Sequence, residues 1–217
     1  MESARTDRPL SSGVTAVLTE GRSTIHHRLT LTQQAASPGQ VLWVDARDTA
    51  STYLLYDLAT DRRLLDGVSI ARAWTAYQHY TLVTQLVARV TPRTRLLVLP
   101  NVCSLYRDDD VRDPMATKLL TATLTTLAEL ATAASLPVLL TAGTEEQSTV
   151  APYATTVRTA SDVIRQSMLP PTSSTASSWI QSTIPYWLEH ADTHLAFADR
   201  YRVSPVQQRL NVDSPTC

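Results

Sequence analysis

Glycine is scarce in this 217-residue chain, with five residues, as are cysteine, with two, and phenylalanine, with one. Five glycines leave few positions for the tight, left-handed turns through which backbone amides converge on phosphate. Two cysteines, Cys103 in an apolar run and Cys217 at the terminus, exclude a disulfide framework or a four-cysteine zinc site within one chain, so a cytoplasmic setting is expected. Charge is also thin: 18% of residues are Asp, Glu, Lys or Arg, and 19 basic against 20 acidic side chains leave a formal net charge of -1. That balance argues against a broad electrostatic landing surface for nucleic acid or anionic lipid, while leaving room for a local patch. The sequence holds no run of the roughly 18 apolar residues that a membrane helix needs. It also lacks a leading basic segment followed by an apolar core of about 7–15 residues. What is plentiful is threonine, together with 43% hydrophobic residues, and a chain of this length is expected to bury roughly 70% of its extended surface without covalent help.

The hydrophobic pattern alternates between strand and helix. Residues 1–12 are polar and without period, which predicts a flexible tail. Residues 14–18 (VTAVL) form a β-type run and 24–36 a helix closed by Pro38-Gly39. Residues 41–44 (VLWV) form a buried strand that ends at Asp45. A helix is expected over 52–64, a short strand over 68–70, a helix over 76–90 stopped by Thr91-Pro92, and the clearest strand over 95–99 (RLLVL). Residues 115–135 read as a helix with Leu119, Ala122, Thr126, Leu127 and Leu130 near helical spacing, followed by a strand over 137–141 (PVLLT). From 144 to 178 the chain reads as irregular and loop-rich, apart from a short helix at 162–168. Two late strands, about 194–198 and 209–212, have an antiparallel or edge-like character. This order predicts one α/β domain over 13–215 with a mostly parallel central sheet flanked by helices and late antiparallel edge strands.

In such a sheet a site forms at the carboxyl ends of the strands, here Thr19–Ser23, Asp45–Asp48, Pro100-Asn101 and Thr141–Gly143. A working P-loop needs G-x-x-x-x-G-K-[ST], whereas this chain offers Leu18-Thr19-Glu20-Gly21-Arg22-Ser23-Thr24, with one glycine and no lysine. Ser23 can hold magnesium there or cap the following helix.

Gly21-Arg22-Ser23-Thr24-Ile25-His26-His27-Arg28-Leu29 resembles the Walker A end and following helix of the RecA/Rad51/RadA recombinase ATPase core. Val41–Thr49 is similar to that family's second core strand, Val68–His79 to its Arg-Ala-Phe segment, Leu96–Ser104 to its Walker B strand, and Leu119–Thr141 to its Leu-Ala-Glu helix and next strand. The resemblance covers most of residues 13–215 and implies a RecA-like P-loop NTPase fold. Residue by residue it places Arg22 at the phosphate lysine, Ser23 at the magnesium hydroxyl, Arg47 at the glutamate that prepares water, and Pro100 at the Walker B aspartate. A guanidinium cannot accept a proton and proline offers magnesium no ligand, so hydrolysis is not expected. Gly21, Arg22, Ser23 and Thr24 are left as a vestigial or weak nucleotide contact.

The family binds DNA through two loops, and the matching regions here are Tyr106–Pro114 and Thr144–Ser161. Their acidic residues outnumber Arg107, Arg112 and Arg158 and oppose autonomous DNA binding. Arg72, Trp74, Arg107, Arg112, Tyr153 and Arg158 are the candidate DNA or partner contacts, whereas Arg62, Arg63, Arg89, Arg93 and Arg95 read as ordinary surface cations. His26, His27, His79, His190 and His194 do not fall at zinc-binding spacings. The expectation is a pseudoenzyme: a catalytically inactive accessory or regulatory protein in DNA recombination or repair. Its expected partner is an active recombinase of the same family or another DNA-repair protein, with weak or indirect DNA association. Two alternatives stay open, a nucleotide-binding or slow ATPase working through Arg22 and Ser23, and a signalling or structural module unrelated to DNA.

Overall fold

The computed structural model describes residues 9–21, 23–109 and 111–168. Among them six strands form one sheet: β1 (Gly13–Thr19), β2 (Gln40–Ala46), β3 (Val68–Ala73), β4 (Thr94–Leu99), β5 (Pro137–Gly143) and β6 (Thr156–Thr159). The helices are α1 (Ile25–Ala36), α2 (Thr52–Leu58), α3 (Ala76–Arg89), α4 (Asp113–Ala133), α5 (Gln147–Val150) and α6 (Ala160–Met168). The spatial order is β3-β2-β4-β5-β1-β6, and every pairing is parallel. This is the RecA-like arrangement.

Strand after strand, successive side chains divide between two cores, as the twofold period of a strand requires. Val14, Ala16, Leu18, Leu42, Val44, Leu97, Leu99, Val138 and Leu140 face Val83 and Leu86 of α3 and Leu124 and Leu127 of α4. Val17, Val41, Trp43, Leu96, Val98 and Leu139 face Ile25 and Leu31 of α1 and Leu55 of α2. Strands buried on both faces read as continuous apolar runs, which is why VLWV, RLLVL and PVLLT were legible.

The expected antiparallel edge strands are corrected by the sheet. Its two edges among the described residues are β3 and β6, and both run parallel to their neighbours. The edge beside β1 is taken by Thr156–Thr159, inside a stretch read as irregular. A 3-10 turn at Thr144–Glu146, α5, and a second 3-10 turn at Ala151–Tyr153 carry the chain back across the sheet, so β6 enters in the same direction as β1. Residues 194–198 and 209–212, on which the antiparallel expectation fell, lie outside the described residues. A smaller difference occurs after β2: the helix expected over 52–64 stops at Leu58, and Arg62–Leu65 form a separate 3-10 turn. There the Asp61 carboxylate accepts the Arg63 amide at 2.9 Å, because a short acidic side chain competes well for a free backbone donor.

The end of α4 is a Schellman turn. The Leu136 amide donates to the Ala131 carbonyl at 2.9 Å and the Ser135 amide to the Thr132 carbonyl at 3.2 Å. The turn forces Ser135, an exposed residue, to φ 48°, a region that disfavours side chains. Ser135→Gly therefore raises stability by ~1 kcal/mol, read as an increased urea midpoint. An unchanged or lower midpoint contradicts the strain argument.

Candidate functional site

A fully parallel sheet delivers the carboxyl ends of β1, β2, β4 and β5 to one edge, the usual location of a ligand site in this architecture. β1 and β5 end in register at Thr19 and Gly143, and the Thr19 hydroxyl donates to the Ala142 carbonyl at 3.4 Å. Beyond β1 the chain turns at Gly21, whose φ of +67° uses glycine's freedom. The Ser23 hydroxyl accepts the Ile25 amide at 3.3 Å, and the Thr24 carbonyl takes the first helical bonds of α1. Ser23 thus makes a local turn just before the helix, whose N-cap, Thr24, has no side-chain capping bond. Arg22 lies outside the described residues.

At the end of β2, Asp45 is wholly buried. Its Oδ1 accepts the Thr49 amide at 3.0 Å, the Thr49 hydroxyl at 2.6 Å and the Ala50 amide at 3.0 Å, while Oδ2 faces Arg72 Nε at 3.6 Å. Burial raises its carboxyl pKa against the pull of those donors and of Arg72. The enclosed turn contains Arg47 and Asp48, both in the left-handed region at φ 61° and 56°. This geometry sends the Arg47 guanidinium to Asp108 and to the Ser104 carbonyl, on the 3-10 turn Ser104–Arg107 and its end.

At the end of β4, Pro100 is buried. The Asn101 amide donates to Thr141 Oγ1 at 2.8 Å and the Val102 amide to the Thr141 carbonyl at 3.0 Å, which stitches β4 to β5. Arg107, from the turn that follows, reaches Glu145 at 3.2 Å and Glu146 at 2.8 Å. Glu146 is buried, and its other carboxylate oxygen accepts the Gly143 amide at 2.6 Å. Pairs of guanidinium and carboxylate thus tie β2 to the turn after β4, and that turn to the one after β5. Beneath them Leu105, Tyr106 and Val111 pack on Ala46, Ala73 and Ala76. Cys103 lies in the same region, its thiol pushed up to about 12 by burial and then by Glu146, so it stays neutral and unreactive at ordinary pH.

Two imidazoles open α1. His26 and His27 are buried with ring centroids 4.2 Å apart and each within 5.4 Å of the Trp43 ring. The Ser51 amide donates to His27 Nε2 at 3.0 Å, which assigns the proton of the neutral ring to Nδ1. Burial, with the neighbouring His27 second, lowers His26 to about 3; burial lowers His27 to about 4.

The group that this fold implies at the strand ends is a nucleoside triphosphate with magnesium. The residues present do not fit it. Among the described residues no cluster of His, Cys, Asp and Glu is placed to hold a metal ion. Asp45 and Glu146, the buried carboxylates of this edge, are already spent on backbone donors and arginines. Pro100 supplies no ligand and Arg47 no base.

The remaining candidate contacts come from separate elements. Arg72 sits at 2.8 Å from Asp48 and donates to the Ala50 carbonyl at 3.3 Å. Trp74 is 59% exposed just beyond β3, and Arg112 is exposed at the start of α4. Tyr153 packs partly against the α3/α4 core, and Arg158 lies partly covered on β6 opposite Val17. Tyr106, the first residue of one expected DNA loop, is instead buried between His79 Nδ1 and Thr123 Oγ1, both at 2.8 Å from its hydroxyl. Sequence reading missed the Arg47–Asp108 and Arg107–Glu146 pairs because 61 and 39 residues separate their members. The Gly143-x-x-Glu146 spacing, in which an acidic side chain returns to an amide three residues back, was the one local signal available.

Among the described residues no helix is long and apolar enough to cross a membrane. No curated protein matches the chain. The Rad51 family model matches residues 11–164, a stretch that contains all six described strands and most of α6. Together with the parallel order β3-β2-β4-β5-β1-β6, that match establishes that the chain belongs to the Rad51 family.

Proposed function

We propose that this Rad51-family chain is a non-hydrolysing accessory or regulatory protein in DNA recombination or repair, and that it works through contact with an active recombinase. The observation that carries the reading is the strand-end chemistry. The residue after β2 that should aim a water is an arginine engaged by Asp108, and the residue after β4 that should support magnesium is a buried proline. Phosphoryl transfer depends on positioned charge around the transferring group, and this edge has turned its charges on one another. Loss of that chemistry leaves the outer surface of the fold untouched, so a related core remains a suitable docking partner.

Two measurements test the reading. Phosphate release from ATP with magnesium is expected at background, with or without single-stranded DNA, and a purified active Rad51-family recombinase is expected to retain this chain in a pull-down without nucleotide hydrolysis by it. Stimulated phosphate release that disappears in Ser23→Ala would overturn the proposal in favour of a slow ATPase. Failure of every family recombinase to retain the chain would remove the accessory role.

A further inference from the structure

Five arginines read as scattered surface cations in the sequence, yet the fold brings three of them together. Parallel strands place their amino ends on the edge opposite the nucleotide side, and there a cleft of about 770 Å³ opens between the starts of β2, β3 and β4. Arg63 enters it from the 3-10 turn before β3, Arg93 from the turn leading into β4, and Arg95 from the start of β4 itself. Asp66 is the one acidic residue in its lining, so three arginines share the cleft with a single carboxylate. Among the described residues neither the Arg63 nor the Arg93 guanidinium has an ion-pair partner, and Arg95 spends one donor on the Pro92 carbonyl at 2.8 Å.

The cleft is a built feature. Its floor is held by Gln34, a buried side chain whose amide donates to the Gly39 carbonyl at 2.9 Å and the Leu64 carbonyl at 3.1 Å, and whose carbonyl accepts the Gly39 amide at 3.0 Å. Gly67 lies directly against the Gly39 carbonyl, and Gly39 lies under the aliphatic stem of Arg95, so a side chain at either glycine would collide with its neighbour. Two of the chain's five glycines are thus committed to a flat, preorganised floor beneath the arginines.

We propose that this cleft binds a phosphate-bearing ligand of about nucleotide size. Guanidinium forks match phosphate oxygens in pairs and desolvate more readily than ammonium groups. The volume falls within the ~300–1,000 Å³ of small-molecule sites. Such a site is separate from the strand-end nucleotide position and stands whether or not the accessory role does. Its phosphate can come from a free phosphorylated molecule or from the backbone of a nucleic-acid strand, and the two sources differ in salt dependence.

The test uses the full chain and sodium tripolyphosphate as the probe, by calorimetry at about 50 mM salt, where screening is moderate. Saturable binding is expected. Arg63→Ala combined with Arg93→Ala should weaken it at least about tenfold, whereas Arg89→Ala should leave it within about twofold. Arg63 and Arg93 are both exposed, so an unchanged melting temperature is the accompanying control, and Arg93→Gln serves as a second variant with similar bulk. Displacement of the probe by adenosine monophosphate assigns the site to a free phosphorylated molecule. Displacement by single-stranded DNA lacking a terminal phosphate, with a steep salt dependence, assigns it to a strand backbone. Absence of saturable binding by the unmodified chain, or equal affinity in the cleft variants, overturns the proposal.

Discussion

Lowering the pH from 6.5 towards 4 should remove most of this protein's stability. His26, His27 and His79 are each buried and neutral, with pKa values depressed from 6.5 to about 3, about 4 and about 4, desolvation being the largest cause in each. The unfolded chain takes up these protons near pH 6.5 while the folded chain refuses them, so stability present above pH 6.5 is lost as pH falls through the interval. At about 1.4 kcal/mol for each tenfold step in a protonation equilibrium, each imidazole is worth ~3 kcal/mol by pH 4. Three such groups compare with the roughly 5–15 kcal/mol that stabilises an ordinary domain. Protonation also has direct structural costs: His27 would lose the Ser51 amide bond to Nε2, and a charge on His26 would face the His27 ring, 4.2 Å away between centroids. Asp45 works in the opposite sense near the acid end of the range, since burial raises its pKa and its protonated form favours the fold. His26→Phe isolates the effect, because neither ring nitrogen of His26 has a hydrogen-bond partner among the described residues. Its stability at pH 7.5 should be close to that of the unmodified protein, and its loss of stability between pH 6.5 and 4.5 should be shallower by about one proton. Equal slopes in the two proteins would show that the buried imidazoles do not control the transition.

The histidines also mark how far sequence alone could reach. The spacing of His26 and His27 does not match a zinc site, but their burial depends on Trp43, a residue of the next strand, and no local pattern reports it. The parallel core was legible because strands covered on both faces read as continuous apolar runs, as VLWV does and as RLLVL does after Arg95. β6 was not legible: TVRT is four residues long, half threonine and only partly buried, so it carries neither a run nor an alternation. For the site, resemblance to a family whose chemistry fixes what each position needs gave an expectation of substitutions, Arg47 and Pro100 above all. What those residues do instead was not readable. The partners of Arg47 and Arg107 come from turns distant in the chain, and the acidic run that looked solvated in YRDDDVRDP supplies Asp108 to one of those pairs. The cleft at the amino ends escaped for the same reason, since Arg63 and Arg93 are thirty residues apart and meet only because β2 lies between β3 and β4.

Asp45→Ala should be among the most destabilising single changes in the chain, at a cost of ~3–5 kcal/mol read as the drop in unfolding free energy in urea. One buried carboxylate oxygen collects the Thr49 amide, the Thr49 hydroxyl and the Ala50 amide, and so holds the turn in which Arg47 and Asp48 adopt left-handed backbone conformations. Without that acceptor the Ala50 amide, which is buried, is left unpaired, and Arg72 loses one of its two carboxylate neighbours. Unpaired buried donors cost ~1–3 kcal/mol each, more than the hydrogen bonds contribute when made. Asp45→Asn keeps an oxygen in the Oδ1 position but turns an amide towards Arg72, so its cost should be smaller, ~1–2 kcal/mol. The order of the two variants separates a structural acceptor from a residue retained for charge. If the acceptor is what matters, Asn recovers most of the loss; if the charge facing Arg72 is what matters, Asn is as damaging as Ala. A cost below ~1 kcal/mol for Asp45→Ala would show that the turn after β2 holds itself, and that the position of Arg47 beside Asp108 owes nothing to the buried carboxylate beneath it.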